Sequence, residues 1–442
     1  MRNSYTVLSH SATIYPRHPK ILALCVGMLA FCFVFIVNCA PPHSKTDAGE
    51  EWPAWRGEHG DGRWSAPTLP NTWPEQGLPV VWRQQVGGGY AGVTVADGRV
   101  YTMDRQTEPM EVERVLCFSA ETGEPLWTHT YKTVYGDLDY GNGPRAAPTV
   151  YEGRVYTLGA LGHLHCLDAK TGNVIWAKDT QAELNAQIPE WGFAASPVIW
   201  KNIVIAHIAA KPNGCYVAFD RLNGTEVWRT SDDPAGYCTP TVITHHGNSQ
   251  LICWTPEHIH GVSPDTGEIY WSFPYKVTYG VSIASPIFQE GIVFVSGYWE
   301  GSKAIRLGKT PHDAEMIWTE NKYLRGLMSQ PLYREGYVYL LDKSHGLVCF
   351  KLQTGEKVWD DDNQMTPKGR NPHASMVWTG DTDRVLVLNA DGELILARFT
   401  PKGYSEESRT LVIGHTWAHP AFAGNHIFAR SDTELVCVRM TP

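Results

Sequence analysis

The stretch CLDAKTGNVIW runs from Cys166 to Trp176, and the chain rebuilds it at four other places. Upstream stands CFSAETGEPLW (Cys117 to Trp127). Downstream come AFDRLNGTEVW (Ala218 to Trp228), GVSPDTGEIYW (Gly261 to Trp271) and CFKLQTGEKVW (Cys349 to Trp359). Each copy sets a small residue six places before a Gly and a Trp four places after it. The Gly fits a tight turn at positive φ, and the Thr or Asp beside it can bond backbone within that turn. The Trp then lies on an outer strand, where its ring can pack against a neighbouring unit while its N–H finds a carbonyl. The motif reads as a structural fastener.

Trp82, Trp127, Trp176, Trp228, Trp271, Trp318 and Trp359 follow one another at intervals of 45, 49, 52, 43, 47 and 41 residues. That period suits four-stranded propeller blades. Between them ADGRVYTMD, YEGRVYTLGA, EGIVFVSG and REGYVYLLD alternate apolar and polar residues after Gly turns, as strands do. Two copies are degraded: Trp318 follows the insertion LGKTPHDAEM, and after Gly403 the Trp position holds Glu407. The C-terminal segment supplies only about three strands, while LPVVWRQQV near the start is an orphan. The expected fold is therefore all-β, an eight-bladed β-propeller of four-stranded antiparallel blades. Residues 78–86 should pair antiparallel with Glu434–Met440, completing the last blade and removing open sheet edges.

These stretches resemble the tryptophan-docking repeat of the pyrroloquinoline-quinone (PQQ)-like β-propeller family, which reads Ala-x-Asp-x-x-Thr-Gly-x-x-x-Trp. The resemblance covers the chain from about Leu78 to its end. Three kinds of function compete, two of them implied by the resemblance. Quinoprotein dehydrogenases of the family hold PQQ and calcium in the funnel and oxidise alcohols or sugars. They are longer and usually carry an adjacent Cys-Cys pair, which this chain lacks. The outer-membrane β-barrel assembly lipoproteins are similar in being exported, tethered propellers of about this length that grip other proteins. A surface protein that binds polysaccharide is the third kind, suggested only by aromatic residues of the funnel. The binding scaffold ranks first, a PQQ-dependent dehydrogenase second and a glycan binder third. No catalytic residue, metal or cofactor is assigned.

Three regions are expected: a signal or membrane-anchor segment (1–38), a linker with an N-terminal extension (39–77), and the propeller (78–442). Arg2, Arg17 and Lys20 precede the uninterrupted apolar run Ile21 to Val37, 17 residues long, and DAGEE follows it. That order places the bulk of the chain outside the cytoplasm, in the periplasm, held by one hydrophobic helix. Cys39, in FIVNCAPP, resembles the lipidated Cys of a bacterial lipoprotein, although Asn38 replaces the small residue preferred before it; an uncleaved anchor is favoured. Net charge is −9 without a Lys/Arg run, so nucleic acid is not an expected partner. The ten Cys do not read as a disulfide framework, because Cys117, Cys166 and Cys349 occupy the small-residue site of the repeat.

Pro marks strand entry in GPRAAPTV, GFAASPVIW, GYCTPTVI, SIASPIF, LMSQPLY and TWAHPAF. In a propeller the first strand of each blade lines the central channel, so residues before these strands should crowd one mouth. They are Asp137, Asp139, Tyr140, Arg145, Glu190, Trp191, Tyr237, Arg325, Arg370, Asn371, His373, Trp417 and His419. A polar, aromatic mouth can bind a small molecule, glycan or protein partner; ordinary solvated loops with Trp191 and Trp417 plugging the channel are the alternative. His163 and His165 share a strand face but are too few for zinc. WRGEHGDGRW (Trp55 to Trp64) lacks the strand and Lys-Ser/Thr of a phosphate loop.

Overall fold

The computed structural model describes residues 51–441. Eight antiparallel sheets of four strands form the blades, and one of them gains a two-residue fifth strand. Blades 1 to 7 span residues 94–132, 149–179, 198–230, 241–274, 287–320, 332–360 and 374–411. In each the chain starts at an inner strand and steps outward. Blade 8 takes three strands from 421–439 and its outer strand from Val80–Gln85. That strand pairs antiparallel with Glu434–Arg439, Trp82 facing Cys437. The expected closure of the ring is present. The only regular helices among the described residues are Thr180–Leu184 and a 3₁₀ turn at Thr278–Gly280. The expected N-terminal hydrophobic helix and Cys39 lie outside the described residues.

The repeat works through one contact made six times. Trp82, Trp127, Trp176, Trp228, Trp318 and Trp359 donate their indole N–H to the carbonyls of Ala120, Ala169, Arg221, Pro264, Leu352 and Thr400, at 2.9–3.1 Å. Each acceptor lies in the next blade, three residues before that blade's repeat Gly. The first five rings also rest on that Gly: a Cβ at Gly123, Gly172, Gly224, Gly267 or Gly355 would come within 2.6–2.9 Å of the ring. The Gly thus serves twice, at positive φ and as the floor under an aromatic ring. The small residue is explained as well. Cys117, Cys166, Ala218, Gly261, Ala304, Cys349 and Cys437 each stand directly across from the Trp of their own blade. All seven described cysteines are buried and unbridged.

Trp271 differs. The insertion before Trp318 removes the Thr-Gly turn that would receive it, and its N–H goes to Gln250 Oε1 of its own blade, 2.9 Å away. Blade 7, where Glu407 replaces the Trp, uses ions. Glu407 accepts from Arg384 Nε at 2.7 Å and Arg398 Nε at 2.6 Å. Arg384 also donates to the carbonyls of Leu69 and Pro70, so the N-terminal chain covers the seam between blades 7 and 8.

Candidate functional site

Two ends of the ring are chemically distinct, and residues 51–64 separate them. Glu51 accepts from the N–H groups of Asp97 and Gly98, in the turn just after blade 1's inner strand. Trp52 forms a bridge with Val95 on that strand, and the Pro53 carbonyl accepts from Val150 N in blade 2. Trp55 then reaches across to blade 5 and blade 8: Nε1 donates to Ser285 Oγ at 3.0 Å, and the ring meets His419 at 4.3 Å. Arg56 donates to Gln330 Oε1 and the Pro331 carbonyl beside blade 6. The chain turns back through Gly57, Gly60 and Gly62, all at positive φ. Arg63 and Trp64 leave as a parallel partner of Trp378 and Thr379 at the end of blade 7's inner strand. This hairpin enters from the end where the inner strands finish and fills the channel. Burial lowers the Arg56 guanidinium to about 10, with Asp61 opposing that shift. The space left beside it, among Trp55, Gly92, Ala147, Gln330, Met376 and His419, holds about one water molecule.

The opposite end, where the inner strands begin, carries the residues singled out from the sequence. Arg145 is its centre. Its guanidinium donates to the carbonyls of Gly143 (2.5 Å), Tyr140 (2.7 Å) and Asp139 (3.1 Å) and lies 5.7 Å over the Tyr90 ring. Burial lowers its pKa, against the raising influence of Tyr135, Tyr90, Glu113 and Tyr237. Around it runs an aromatic chain: Tyr90 to Trp417 (5.7 Å), Trp417 to Tyr140 (5.8 Å), Tyr140 to Trp191 (6.5 Å) and Trp191 to Tyr237 (5.5 Å). Trp191 donates Nε1 to Asp139 Oδ2 at 3.2 Å. These residues come from the successive connections between blades 7, 8, 1, 2, 3 and 4. Asp137 and Glu190 lie exposed beside them.

The other expected residues divide. Arg325 precedes blade 6's inner strand at the same end but is committed to buried Asp342, through its backbone N–H at 2.9 Å and Nε at 3.3 Å. Arg370 offers its carbonyl to Tyr298 Oη, and Asn371 is half-buried. His373 and His419 pack ring to ring, 5.5 Å apart, as part of the channel wall. Burial pushes His373 down to about 4 and His419 well below the usual imidazole range. Both are held neutral, so they suit a floor better than an ionic contact. Sequence reading missed Tyr90, Trp55 and Arg56. Tyr90 had a weak signal in the Gly run GGGY that carries it to the mouth; the hairpin had none, because it repeats nowhere.

His165 meets His129 across the seam of blades 1 and 2, and Tyr131 packs against both His163 and His165. Burial lowers His165 to about 3. No carboxylate joins the three imidazoles among the described residues that could hold a metal.

The family profile described as outer membrane protein assembly factor BamB matches residues 111–361 and 256–441. The outer membrane protein assembly factor BamB of Moranella endobia is 20% identical over 303 residues, 63% of this chain and 71% of that protein. Among solved structures, BamB from Moraxella catarrhalis aligns with a TM-score of 0.55 at 16% identity, covering 81% of this chain and 98% of its own. Quinohemoprotein alcohol dehydrogenase from Comamonas testosteroni aligns with a TM-score of 0.61 at 14% identity, covering 89% and 81%. At these identities the structural likeness is one of fold.

Proposed function

The chain belongs to the family of outer membrane protein assembly factor BamB, and on that premise we propose that it is an extracytoplasmic, membrane-tethered scaffold that grips a protein partner of outer-membrane assembly. The apolar run Ile21 to Val37, or lipid on Cys39, supplies the tether in this reading. The partner docks on the aromatic mouth around Arg145. The observation that carries it is the aromatic chain of Tyr90, Trp417, Tyr140, Trp191 and Tyr237, partly open to solvent, above a channel already filled by the chain's own hairpin. Trp, Tyr and Arg are the residues that dominate protein interfaces, since they bury large areas while keeping a polar handle.

The quinoprotein reading requires a funnel that takes PQQ with calcium. The residues facing the remaining channel space include no carboxylate, whereas calcium takes six to eight oxygen ligands with carboxylates prominent among them. Trp55 and Arg56 also occupy channel space, bonded to Ser285, Gln330 and Pro331. The lining of that space does not fit the group. A visible spectrum of the full chain with added PQQ and calcium should accordingly show no bound quinone.

The scaffold reading is tested by photo-crosslinking from the mouth. A photoreactive residue at Tyr140 or Trp417 should yield adducts with a protein of the outer-membrane assembly machinery in cells, and one at Tyr151, the last residue of blade 2's inner strand at the other end, should not. Equal adducts from both ends would reject the mouth as the docking surface. Saturable binding of a soluble polysaccharide, lost in Trp191→Ala, would favour the glycan reading instead.

A further inference from the structure

Among the described residues outside the mouth, one cluster has the donors of a metal centre. Asp233 lies in the connection between blades 3 and 4, while His258 and His260 lie on blade 4's third strand, His258–Val262. Alternate residues of a strand share a face, so the His-x-His pair projects the same way. Pairing with Pro274 and Ser272 on one side and with Cys253 on the other holds that strand in place. Asp233 Oδ2 stands 3.0 Å from His258 Nδ1 and 3.0 Å from His260 Nε2. Thr255 Oγ1 donates to the same oxygen at 2.6 Å. All three donor atoms lie within 4.8 Å of one another.

We propose that Asp233, His258 and His260 bind a divalent transition-metal ion, zinc or a first-row neighbour. Imidazole nitrogen and carboxylate oxygen are the donors such ions take, at about 2.0–2.2 Å. Donors at that range around one ion stand about 3.0–3.5 Å apart, and two of the three edges already have that length. The third closes by rotation of His258, whose side chain is 36% exposed. Asp233 and His260 are 14% and 6% exposed, so the site has two fixed donors and one adjustable donor at its open side.

Charge favours the same occupant. Among the described residues, the ion-pair partners of Asp233 are these two imidazoles, and no Lys or Arg reaches it. Neighbouring Lys211 is engaged with Asp232, at 3.1 Å. A largely buried carboxylate without a Lys or Arg partner is costly, and a divalent ion supplies a fixed positive charge directly. Three protein donors leave a tetrahedral ion one position, which faces solvent on His258's side, where water or a partner's side chain completes the shell.

The experiment uses the full, untagged chain in detergent. Zinc is titrated in competition with a chromophoric chelator, and cobalt is added separately to read the visible d–d bands of a bound ion. One zinc equivalent is expected, with affinity reduced at least about tenfold in Asp233→Asn and in His260→Ala. The cobalt bands should vanish in both variants. His246→Ala, on the exposed turn with His245, should bind as the parent does. His258→Gln carries the same test with little risk to folding, because that ring is partly exposed. The proposal is overturned if the parent shows no saturable binding, if Asp233→Asn and His258→Gln stay within twofold of it, or if His246→Ala loses as much.

Discussion

Gly172→Ala separates the two duties assigned to the repeat glycine. Gly172 sits at φ +73°, and a Cβ there would approach Trp127 Cε3 at 2.6 Å and Cδ2 at 2.7 Å. Carbon contacts are comfortable at about 3.5–4.0 Å, so nearly a full ångström must be found. Trp127 cannot retreat freely, since its N–H is held by the Ala169 carbonyl at 3.0 Å and its strand faces Cys117. Left-handed backbone costs a non-glycine residue about 1–2 kcal/mol, and overpacking adds about 1–3 kcal/mol. Gly153 provides the control: it has φ +70° and nothing within 4 Å of its Cβ position. Gly153→Ala should therefore lose only the backbone share. Urea unfolding of both variants should show Gly172→Ala lower by about 1–3 kcal/mol. In a Trp127→Ala background the methyl group has room, so the extra loss should disappear as a non-additive term. Equal losses at Gly172 and Gly153, or full additivity with Trp127→Ala, would refute the ring-on-glycine account.

Trp82→Ala should cost about 3–5 kcal/mol in urea unfolding, because Trp82 is buried at the seam that closes the ring; Val81→Ala, exposed on the same strand, should be near neutral. Gln250→Leu should weaken blade 4 by about 1–3 kcal/mol through the lost acceptor for Trp271, while Gln353→Leu on the surface should not. Acid should destabilise the ring through His207, which burial holds down to about 4, against backbone bonding at Cys238 and the field of Asp233. The unfolded chain takes up that proton near pH 6.5 and the folded chain only near pH 4. The contribution of His207 is therefore full above pH 6.5 and falls by about 3 kcal/mol down to pH 4. His207→Phe, which can keep the stack on Tyr216, should reduce that fall by the same amount.

The blades were legible in the sequence because their fastening is local and repeated. Gly172, Trp176 and Cys166 sit within one hairpin, so every blade writes the same spacing. Ring closure was legible for a related reason: Trp82 was a fastener without a blade, and the last blade lacked a fastener. The mouth was half legible. Proline before each inner strand fixed which end Arg145, Trp191 and Tyr237 occupy, but not that Arg325 spends its guanidinium on Asp342 or that His373 turns inward against His419. Side-chain direction in loops follows from tertiary packing, which carries no period. The Asp233, His258 and His260 group escaped because its carboxylate comes from the connection between blades while its imidazoles come from inside a blade.

The hairpin of residues 51–64 shows the limit most clearly, and it makes the most exposed claim. Its sequence, which ends in WRGEHGDGRW, is rich in Gly and charge and reads as loop. Yet Trp52 and Trp64 are 4% and 0% exposed, and Arg56 is 7% exposed. A Cβ at Gly62 would meet Arg56 Nη2 at 2.8 Å, so the turn is closed over its own arginine. Arg56 and Arg63 are both trypsin sites by sequence. In the folded protein the Arg56 backbone lies inside the channel, and Arg63 pairs with the end of blade 7's inner strand. Cleavage after either should therefore wait for the hairpin to leave the ring, which breaks the contacts of Trp55 with Ser285 and of Arg56 with Gln330 and Pro331. Protection should follow the free energy of that opening. Trp55→Ala with Arg56→Ala should accelerate cleavage after Arg63 by at least about tenfold, because lost hydrogen bonds to a buried charge are worth about 1.5–3 kcal/mol. The blade strands should remain intact in the same digest. Rapid cleavage after Arg56 in the parent protein, with the propeller still folded, would mean that residues 51–64 are a surface tail and that the channel is open.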